Sequence, residues 1–187
     1  TMTELIEYYK GIFTILSSCA SRQLEEVTFR RTVIPVQELF DAAGKYFKKM
    51  MKNRTERIEL EMEPMEAKVI GDVNQLRFLL ENLIDEALTF REDGVLRLQV
   101  RKDDGYIRFL FTDTRREKSV EELNQLFYPN LARMTSGEKG ELRGTEYLVC
   151  KQIIRDHDEF AGRRGCRINA EPAADGGFTV YFTIPRR

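Results

Sequence analysis

The sequence predicts a two-layer α/β sandwich, in which a mixed, mostly antiparallel sheet carries helices on one face. Two observations predict this class. Segments whose apolar residues recur at helical spacing are interspersed with segments in which apolar and polar residues alternate singly, as in half-buried strands. Turn signals such as Asp103-Asp104-Gly105 join neighbouring strand-like segments and are typical of antiparallel hairpins.

The composition fits a soluble globular protein and excludes several functions. The chain has 187 residues, of which 42% are hydrophobic and 33% charged, so it can bury a sizeable core. The formal net charge of −1 provides no global field for nucleic acid. No stretch approaches the ~18 apolar residues of a membrane span, so we expect membrane contact only through segments missing from this chain. Three widely spaced cysteines suit a reducing, cytoplasmic compartment.

The chain divides into an N-terminal region, residues 1–30, and a main domain, residues 31–187. Apolar residues at helical spacing predict an amphipathic helix over Met2–Leu24, which either pairs with a partner or covers the core of its own domain. A second helix is predicted to start within Thr32–Pro35, with Pro35 near its first turn.

The middle of the chain predicts two strands and the strongest helix. Ile58, Leu60 and Met62 alternate with glutamates and indicate a half-buried strand that ends before Pro64. A short strand over residues 68–70 precedes Asp72, a residue suited to cap a helix N-terminus. The apolar stripe of that helix comprises Leu76, Leu79, Leu80, Leu83, Ile84, Ala87 and Leu88.

The second half predicts a hairpin, two helices and two closing strands. Alternating apolar residues on either side of residues 103–105 form the hairpin, and Ser119 with Glu122 resembles a capping box for a helix through Phe127. Residues 130–144 have weak periodicity and predict a mobile loop. A final helix over residues 145–156 precedes strands at residues 166–168 and 178–184.

Five motifs in order resemble the C-terminal ATP-binding domain of sensor histidine kinases. Gly71–Arg77 with Leu80–Phe90 resembles the N-box region, and Phe111–Thr114 resembles the start of the first glycine box. Leu126–Pro129 is similar to the phenylalanine box, Gly144 with the segment to His157 resembles the second glycine box, and Phe178–Pro185 is similar to the last strand. The resemblance covers about residues 30 to 187 and implies the histidine-kinase-like ATPase fold.

The resemblance also implies roles for individual residues. Asp113 stands where the family's aspartate accepts the adenine amino proton, and Asn82 is an N-box asparagine. Glu86 replaces the second N-box asparagine, which lends an oxygen to Mg²⁺, and as a carboxylate it could ligate the metal if Mg-ATP binds. Gly144 is the one glycine kept in the second glycine box, because Leu142 and Glu146 replace its neighbours.

The first glycine box departs most clearly from the family. Arg115, Arg116 and Glu117 fill the region where a glycine lets the backbone approach the purine. We therefore expect loss of adenine binding, with no ATP or Mg²⁺ cofactor. As a hypothesis, Glu86 pairs with Arg115 or Arg116 across the pocket and turns it into a salt-bridged plug.

Three functions remain open at this point. The first is a signalling domain, similar to a pseudokinase of a two-component system, that acts through protein contacts or self-association by its N-terminal helix. The second is an active ATP-dependent histidine kinase domain with divergent boxes. The third, an anti-sigma-like serine kinase, is disfavoured by the N-terminal helix. No catalytic residue is identified: His157, the one histidine, matches a structural position, and the cysteines lack a base or metal-ligand partner.

Overall fold

The computed structural model describes residues 1–6, 9, 29–129 and 145–187. Residues 2–6 are helical, and the described residues after them form four helices and seven strands. The strands are β1 (Thr32–Pro35), β2 (Ile58–Glu63), β3 (Lys68–Gly71), β4 (Gly94–Asp103), β5 (Tyr106–Asp113), β6 (Ile168–Pro172) and β7 (Phe178–Pro185). The helices are α1 (Val36–Met51), α2 (Val73–Leu88), α3 (Val120–Asn124) and α4 (Glu146–Phe160).

The predicted fold class is confirmed. Five strands form a mixed sheet in the order β2-β4-β5-β7-β6, in which β2 and β4 are parallel and every other pair is antiparallel. Helices α1, α2 and α4 pack as a second layer, with α2 contacting both of the others. The aromatic ring of Phe109 stacks on Phe182 at 4.9 Å within the sheet and meets Phe40 of α1 at 6.4 Å, so these rings join the two layers.

One predicted element was wrong. Residues 32–35 do not begin a helix but form β1, which pairs with β3 as a separate two-stranded antiparallel sheet. The β-branched side chains of Thr32, Val33 and Ile34 favour this extended backbone, and a residue before proline is biased away from the helical region. Pro35 is extended, with φ of −62° and ψ of 135°, and serves as the N-cap of α1. The helix therefore starts at Val36.

The helix starts predicted from polar caps are confirmed. The Asp72 carboxylate accepts the backbone N–H groups of Asn74 and Gln75, and Ser119 with Glu122 forms both halves of a capping box. The helix after Ser119 is shorter than expected and ends at Asn124. Helix α4 runs to Phe160, beyond the predicted end at Asp156, and β6 starts at Ile168, two residues later than predicted.

Some predictions fall outside the described residues. They are the part of the N-terminal helix at residues 7, 8 and 10–28, and the loop at residues 130–144 that contains Leu142 and Gly144. In the part of the chain that the structure describes, no helix has both the length and the apolar composition required to cross a bilayer.

Candidate functional site

The candidate site lies where β5 ends beside the C-terminal end of helix α2. Asp113 is the last residue of β5 and is 1% exposed, and Glu86 lies in the last turn of α2. Gly177 precedes β7 with φ of +82°, and a Cβ atom at this position would collide with the backbone of Asp113. The close approach of the 177 backbone therefore helps to fix where the Asp113 carboxylate lies.

The buried side chain of Arg115 connects the end of β5 with the end of helix α2. This side chain is 2% exposed, and all five guanidinium N–H groups donate a hydrogen bond. Nε and Nη2 each donate to Asp113 at 3.0 Å, and Nη2 also donates to the Ala87 carbonyl at 2.6 Å. Nη1 donates to the carbonyls of Phe90 at 2.7 Å and Glu92 at 2.9 Å. Arg115 thus brings a cation to the Ala87 carbonyl in the last turn of α2 and to the Phe90 and Glu92 carbonyls just beyond it. Helix α2 has no basic residue of its own in that turn.

Arg116 connects the two carboxylates of the site. Its Nε donates to Asp113 at 3.1 Å, and its Nη2 donates to Glu86 at 2.9 Å. The guanidinium carbon lies 5.2 Å from the ring centre of Phe90 and 5.6 Å from that of Phe178. Such contacts favour a cation between two aromatic rings.

Tyr147 completes the arrangement from helix α4. This tyrosine is 2% exposed, and its hydroxyl donates a hydrogen bond to the Glu86 carboxylate. We refer to these five residues as the arginine cluster: Glu86, Asp113, Arg115, Arg116 and Tyr147. The cluster links α2, the end of β5 and the first turn of α4, so three elements meet at one group of paired charges.

The surroundings of Tyr147 and Arg116 favour the protonated form of both side chains. Burial raises the pKa of Tyr147, and the neighbouring Glu86 carboxylate raises it further, so the hydroxyl stays a proton donor. Burial opposes the charged form of Arg116, but the Glu86 and Asp113 carboxylates outweigh it and raise the pKa of Arg116. The guanidinium therefore remains a cation throughout the range in which proteins are folded.

The structure brings together three of the five residues that the sequence singled out for the pocket. Glu86, Asp113 and Arg115 lie in the arginine cluster. Of the two arginines expected to pair with Glu86, Arg116 does so, whereas Arg115 turns toward α2 and Asp113. Asn82 is 8% exposed, and its amide donates to the Phe78 carbonyl at 2.8 Å within α2. Gly144 lies outside the described residues.

Sequence reasoning missed Tyr147 and the two aromatic rings. Tyr147 follows Glu146, which had been noted only as a departure from the second glycine box. A buried tyrosine needs a partner for its hydroxyl, so a tyrosine on the apolar face of α4 was the signal available. Phe90 and Phe178 were assigned to motif ends, and nothing local indicates that both face Arg116.

His157 has the structural role expected of it. It is fully buried, its Nε2 accepts the Asp72 backbone N–H at 3.1 Å, and its Nδ1 lies 2.8 Å from the Ile153 carbonyl. This pattern requires the neutral ring with the proton on Nδ1. Burial lowers the pKa of His157 to about 4. Cys150 and Cys166 are both buried, and the Cys150 thiol donates to the Leu79 carbonyl at 3.6 Å.

Mg-ATP would require an acceptor for the adenine amino group at Asp113 and a metal ligand at Glu86, as the resemblance implies. Both Asp113 oxygens accept from Arg115 and Arg116, and both Glu86 oxygens face Arg116. Asp113 thus accepts four hydrogen bonds, the capacity of a carboxylate, and Glu86 accepts three. As arranged, the Asp113 acceptor that the resemblance assigns to adenine is taken by the two arginines, and Glu86 is engaged by Arg116 and Tyr147. Among the described residues, no group of three or more His, Cys, Asp or Glu side chains could hold a metal ion.

Known proteins similar to this chain are histidine kinases. The chain is 23% identical over 163 residues to the signal transduction histidine-protein kinase BaeS of Escherichia coli (strain K12), which covers 85% of this chain but only 33% of BaeS. The chain therefore spans about a third of that relative.

Two solved structures of the histidine kinase ThkA share the fold. The nucleotide-free catalytic domain has a TM-score of 0.65 at 20% identity, covering 84% of this chain and 96% of that one. A complex of ThkA with the response regulator protein TrrA has a TM-score of 0.64 at 18% identity, covering all of this chain and 52% of that one.

A family model matches residues 71–187, which is more than half of the chain. The matched range contains every member of the arginine cluster. The description of this family model is the histidine kinase-, DNA gyrase B- and HSP90-like ATPase family. The mixed sheet under a helical layer agrees with this match. This chain belongs to the histidine kinase-, DNA gyrase B- and HSP90-like ATPase family.

Proposed function

We propose that this chain is a pseudokinase-like signalling domain of a two-component system, which acts through protein contacts without binding ATP or transferring phosphate. The observation that carries the proposal is the double occupation of Asp113 by Arg115 and Arg116. An adenine amino group would have to displace an arginine from a buried carboxylate, which costs an ion pair and leaves a buried charge uncompensated.

The Glu86 side of the cluster supports the same proposal. A family member that binds nucleotide needs a metal ligand at this position, but here Glu86 is engaged by Arg116 and Tyr147. Two carboxylates without their arginines would repel a polyphosphate in the absence of metal. Arg116 pairs with both acids, and together with Arg115 it balances their two negative charges, a role that a divalent metal ion would otherwise have.

The complex of ThkA with the response regulator protein TrrA supports the part of the proposal that concerns protein contacts. That complex aligns with the whole of this chain, so the same fold can present a surface to such a partner. We propose that residues 1–30 belong to a dimerisation or linker region and residues 31–187 form the ATPase-like domain. Self-association through the N-terminal region is the other form of protein contact in the proposal.

Binding of Mg-ATP to the purified chain tests the proposal. We expect no change in the melting temperature and no retained nucleotide in equilibrium dialysis with about 5 mM Mg-ATP. A ligand at ~100 times its dissociation constant would stabilise the native state by ~2.7 kcal/mol, which a thermal melt detects easily. Lys45→Gln, which removes an exposed charge from α1 outside both charged sites, serves as the matched control.

Retention of ATP by the unmodified chain would contradict the proposal. In that case the alternative of an active histidine kinase domain is favoured, with Arg116 moving aside, and an Asp113→Asn variant should lose the retained nucleotide. Dialysis is needed beside the thermal melt because Asp113→Asn also weakens the pairing with Arg115 and changes the melting temperature by itself.

A further inference from the structure

A second charged surface lies at the opposite end of the sheet from the arginine cluster. Strand β5 runs from Tyr106 to Asp113, so the β4–β5 turn at Gly105 marks the far end. Nine exposed cations gather around this turn, and we refer to them as the basic pole: Arg31, Lys68, Arg101, Lys102, Arg163, Arg164, Arg167, Arg186 and Arg187.

Contacts between separate chain segments bring these cations together. Arg163 donates from Nη1 to the Gly105 carbonyl at 2.8 Å, and the backbone N–H of Arg186 donates to the same carbonyl at 3.0 Å. The backbone N–H of Arg187 donates to the Lys68 carbonyl at 3.2 Å. The Arg31 guanidinium lies directly against Gly162, next to Arg163. Five segments thus converge on one surface.

The charges of the basic pole are not compensated within the described part of the chain. None of the nine side chains takes part in an ion pair there, whereas Arg54, Arg91, Arg97, Arg108, Arg115 and Arg116 all do. Two nearby acids are otherwise engaged: Asp103 pairs with Arg108, and Asp158 accepts the backbone N–H groups of Gly165 and Cys166. The exposed acids within four residues of a member of the pole are Glu66, Asp104, Glu159 and Glu171, so nine cations still face only four such acids.

We propose that the basic pole is a docking surface for a membrane that carries anionic lipid headgroups, which departs from the expectation that only segments missing from this chain contact a membrane. Charge complementarity carries the proposal, because a chain whose net charge is only −1 concentrates nine exposed cations at one end. Seven of the nine are arginines, whose planar fork suits phosphate oxygens. Phe160, 47% exposed at the end of α4 just before Gly162, adds an aromatic side chain at the edge of the surface.

The form of the surface favours a membrane over a nucleic acid. The cations come from turns, strand ends and the residues after β7 at one end of the sandwich, not from one helix or ribbon of the kind that enters a duplex groove. The ring of Tyr106, which could offer a stacking platform, is covered by Arg163 with its guanidinium carbon 5.9 Å from the ring centre. This inference does not depend on whether the arginine cluster excludes ATP.

Vesicle co-sedimentation tests the inference. We expect the chain to bind vesicles of phosphatidylcholine with about 30% phosphatidylglycerol, not to bind phosphatidylcholine alone, and to be released by about 0.5 M salt. The variant R164Q/R167Q/R186Q removes three charges whose side chains form no hydrogen bond or ion pair in the described structure. Since each cation near an anionic surface contributes about 1 kcal/mol, binding should weaken on the order of 100-fold.

A matched variant separates local charge from net charge. K45Q/K48Q/K49Q removes three exposed lysines from the C-terminal half of α1. This end of α1 lies on the side of the arginine cluster, because Arg54, just beyond the helix, donates to the Leu88 carbonyl at the end of α2. This variant should bind anionic vesicles as the unmodified chain does, and thermal melts should show that both variants are folded. Equal loss in the two variants would overturn the inference. So would binding that ignores lipid charge, or binding to an oligonucleotide or polyglutamate with no binding to anionic vesicles.

Discussion

The guanidinium of Arg116 lies 2.9 Å from the carboxylate of Glu86 and connects the chain that follows β5 with the last turn of helix α2. A glutamate at a helix C-terminus faces the negative end of the helix dipole, which is unfavourable unless a cation is near. Helix α2 has no basic residue in its last turn, and the two arginines that follow β5 supply the missing positive charge. The same two arginines therefore fill the region of the family's ligand pocket and stabilise the C-terminal end of α2.

Arg115→Met should strongly destabilise the fold. The change leaves a buried carboxylate at Asp113 without its principal partner and removes the donors to the Ala87, Phe90 and Glu92 carbonyls. Breaking a buried pair of this kind costs about 3–5 kcal/mol in the free energy of unfolding, which urea denaturation measures. Arg101→Met removes an exposed arginine and should change stability by less than about 0.5 kcal/mol. Equal effects of the two changes would refute the anchoring role of Arg115.

Reversing the charge at Arg116 should destabilise the protein by a few kcal/mol, of the order expected for a half-buried pair that becomes a repulsion. Arg116→Glu places a third carboxylate between Glu86 and Asp113. The double-mutant cycle of Arg116→Ala with Glu86→Ala should show a coupling free energy of about 0.5–3 kcal/mol in urea denaturation. Additive effects in the cycle would mean that the pair contributes no specific stability.

Stability should fall in mild acid because of His157. Its folded pKa, about 4, lies below the ordinary value of 6.5, so the unfolded chain binds a proton more readily. The contribution of the neutral ring is fully present above pH 6.5 and is lost as the pH falls toward 4, with a slope that approaches about 1.4 kcal/mol per pH unit. Since this is the one histidine of the chain, its ring resonance can be followed by NMR without assignment. A midpoint near 6.5 in the folded protein would contradict the buried, doubly bonded ring.

Two adjacent glycines allow backbone strain to be separated from crowding. Gly176 and Gly177 have φ of +105° and +82°, so alanine is strained at both, by about 1–2 kcal/mol. A Cβ atom at 176 meets nothing within 4 Å, whereas one at 177 collides with the Asp113 backbone. Gly177→Ala should therefore lower the free energy of unfolding by clearly more than Gly176→Ala in thermal or urea melts. Equal losses would show that the approach to Asp113 is not tight.

Local signals allowed much of the fold to be predicted. Asp72 and Ser119 mark helix starts because a cap acts on backbone groups two or three residues away, within reach of a short sequence window. Alternating residues on both sides of Gly105 identify the β4–β5 hairpin for the same reason. Strand β1 was missed because its partner, β3, lies more than thirty residues later, and Pro35 before a helical pattern looks like a first turn.

The candidate site was less predictable because its partners are distant in sequence. Pairing of an arginine with Glu86 was expected from the family register, but the choice of Arg116 depends on where the chain turns after Asp113. The carbonyls that accept from Arg115 belong to residues 87–92, and no side-chain pattern identifies a backbone acceptor. Tyr147 joins the cluster only because α4 packs against α2.

The buried ring of His157 has a practical consequence for detecting phosphorylation. A phosphoramidate on either ring nitrogen would have to replace the bond to the Asp72 amide or the bond to the Ile153 carbonyl, inside a core with no exposed ring atom to attack. With no other histidine in these 187 residues, the folded chain should give no signal with a phosphohistidine antibody. It can therefore be mixed with a kinase or receiver protein as a silent component, and any signal then reports on the partner.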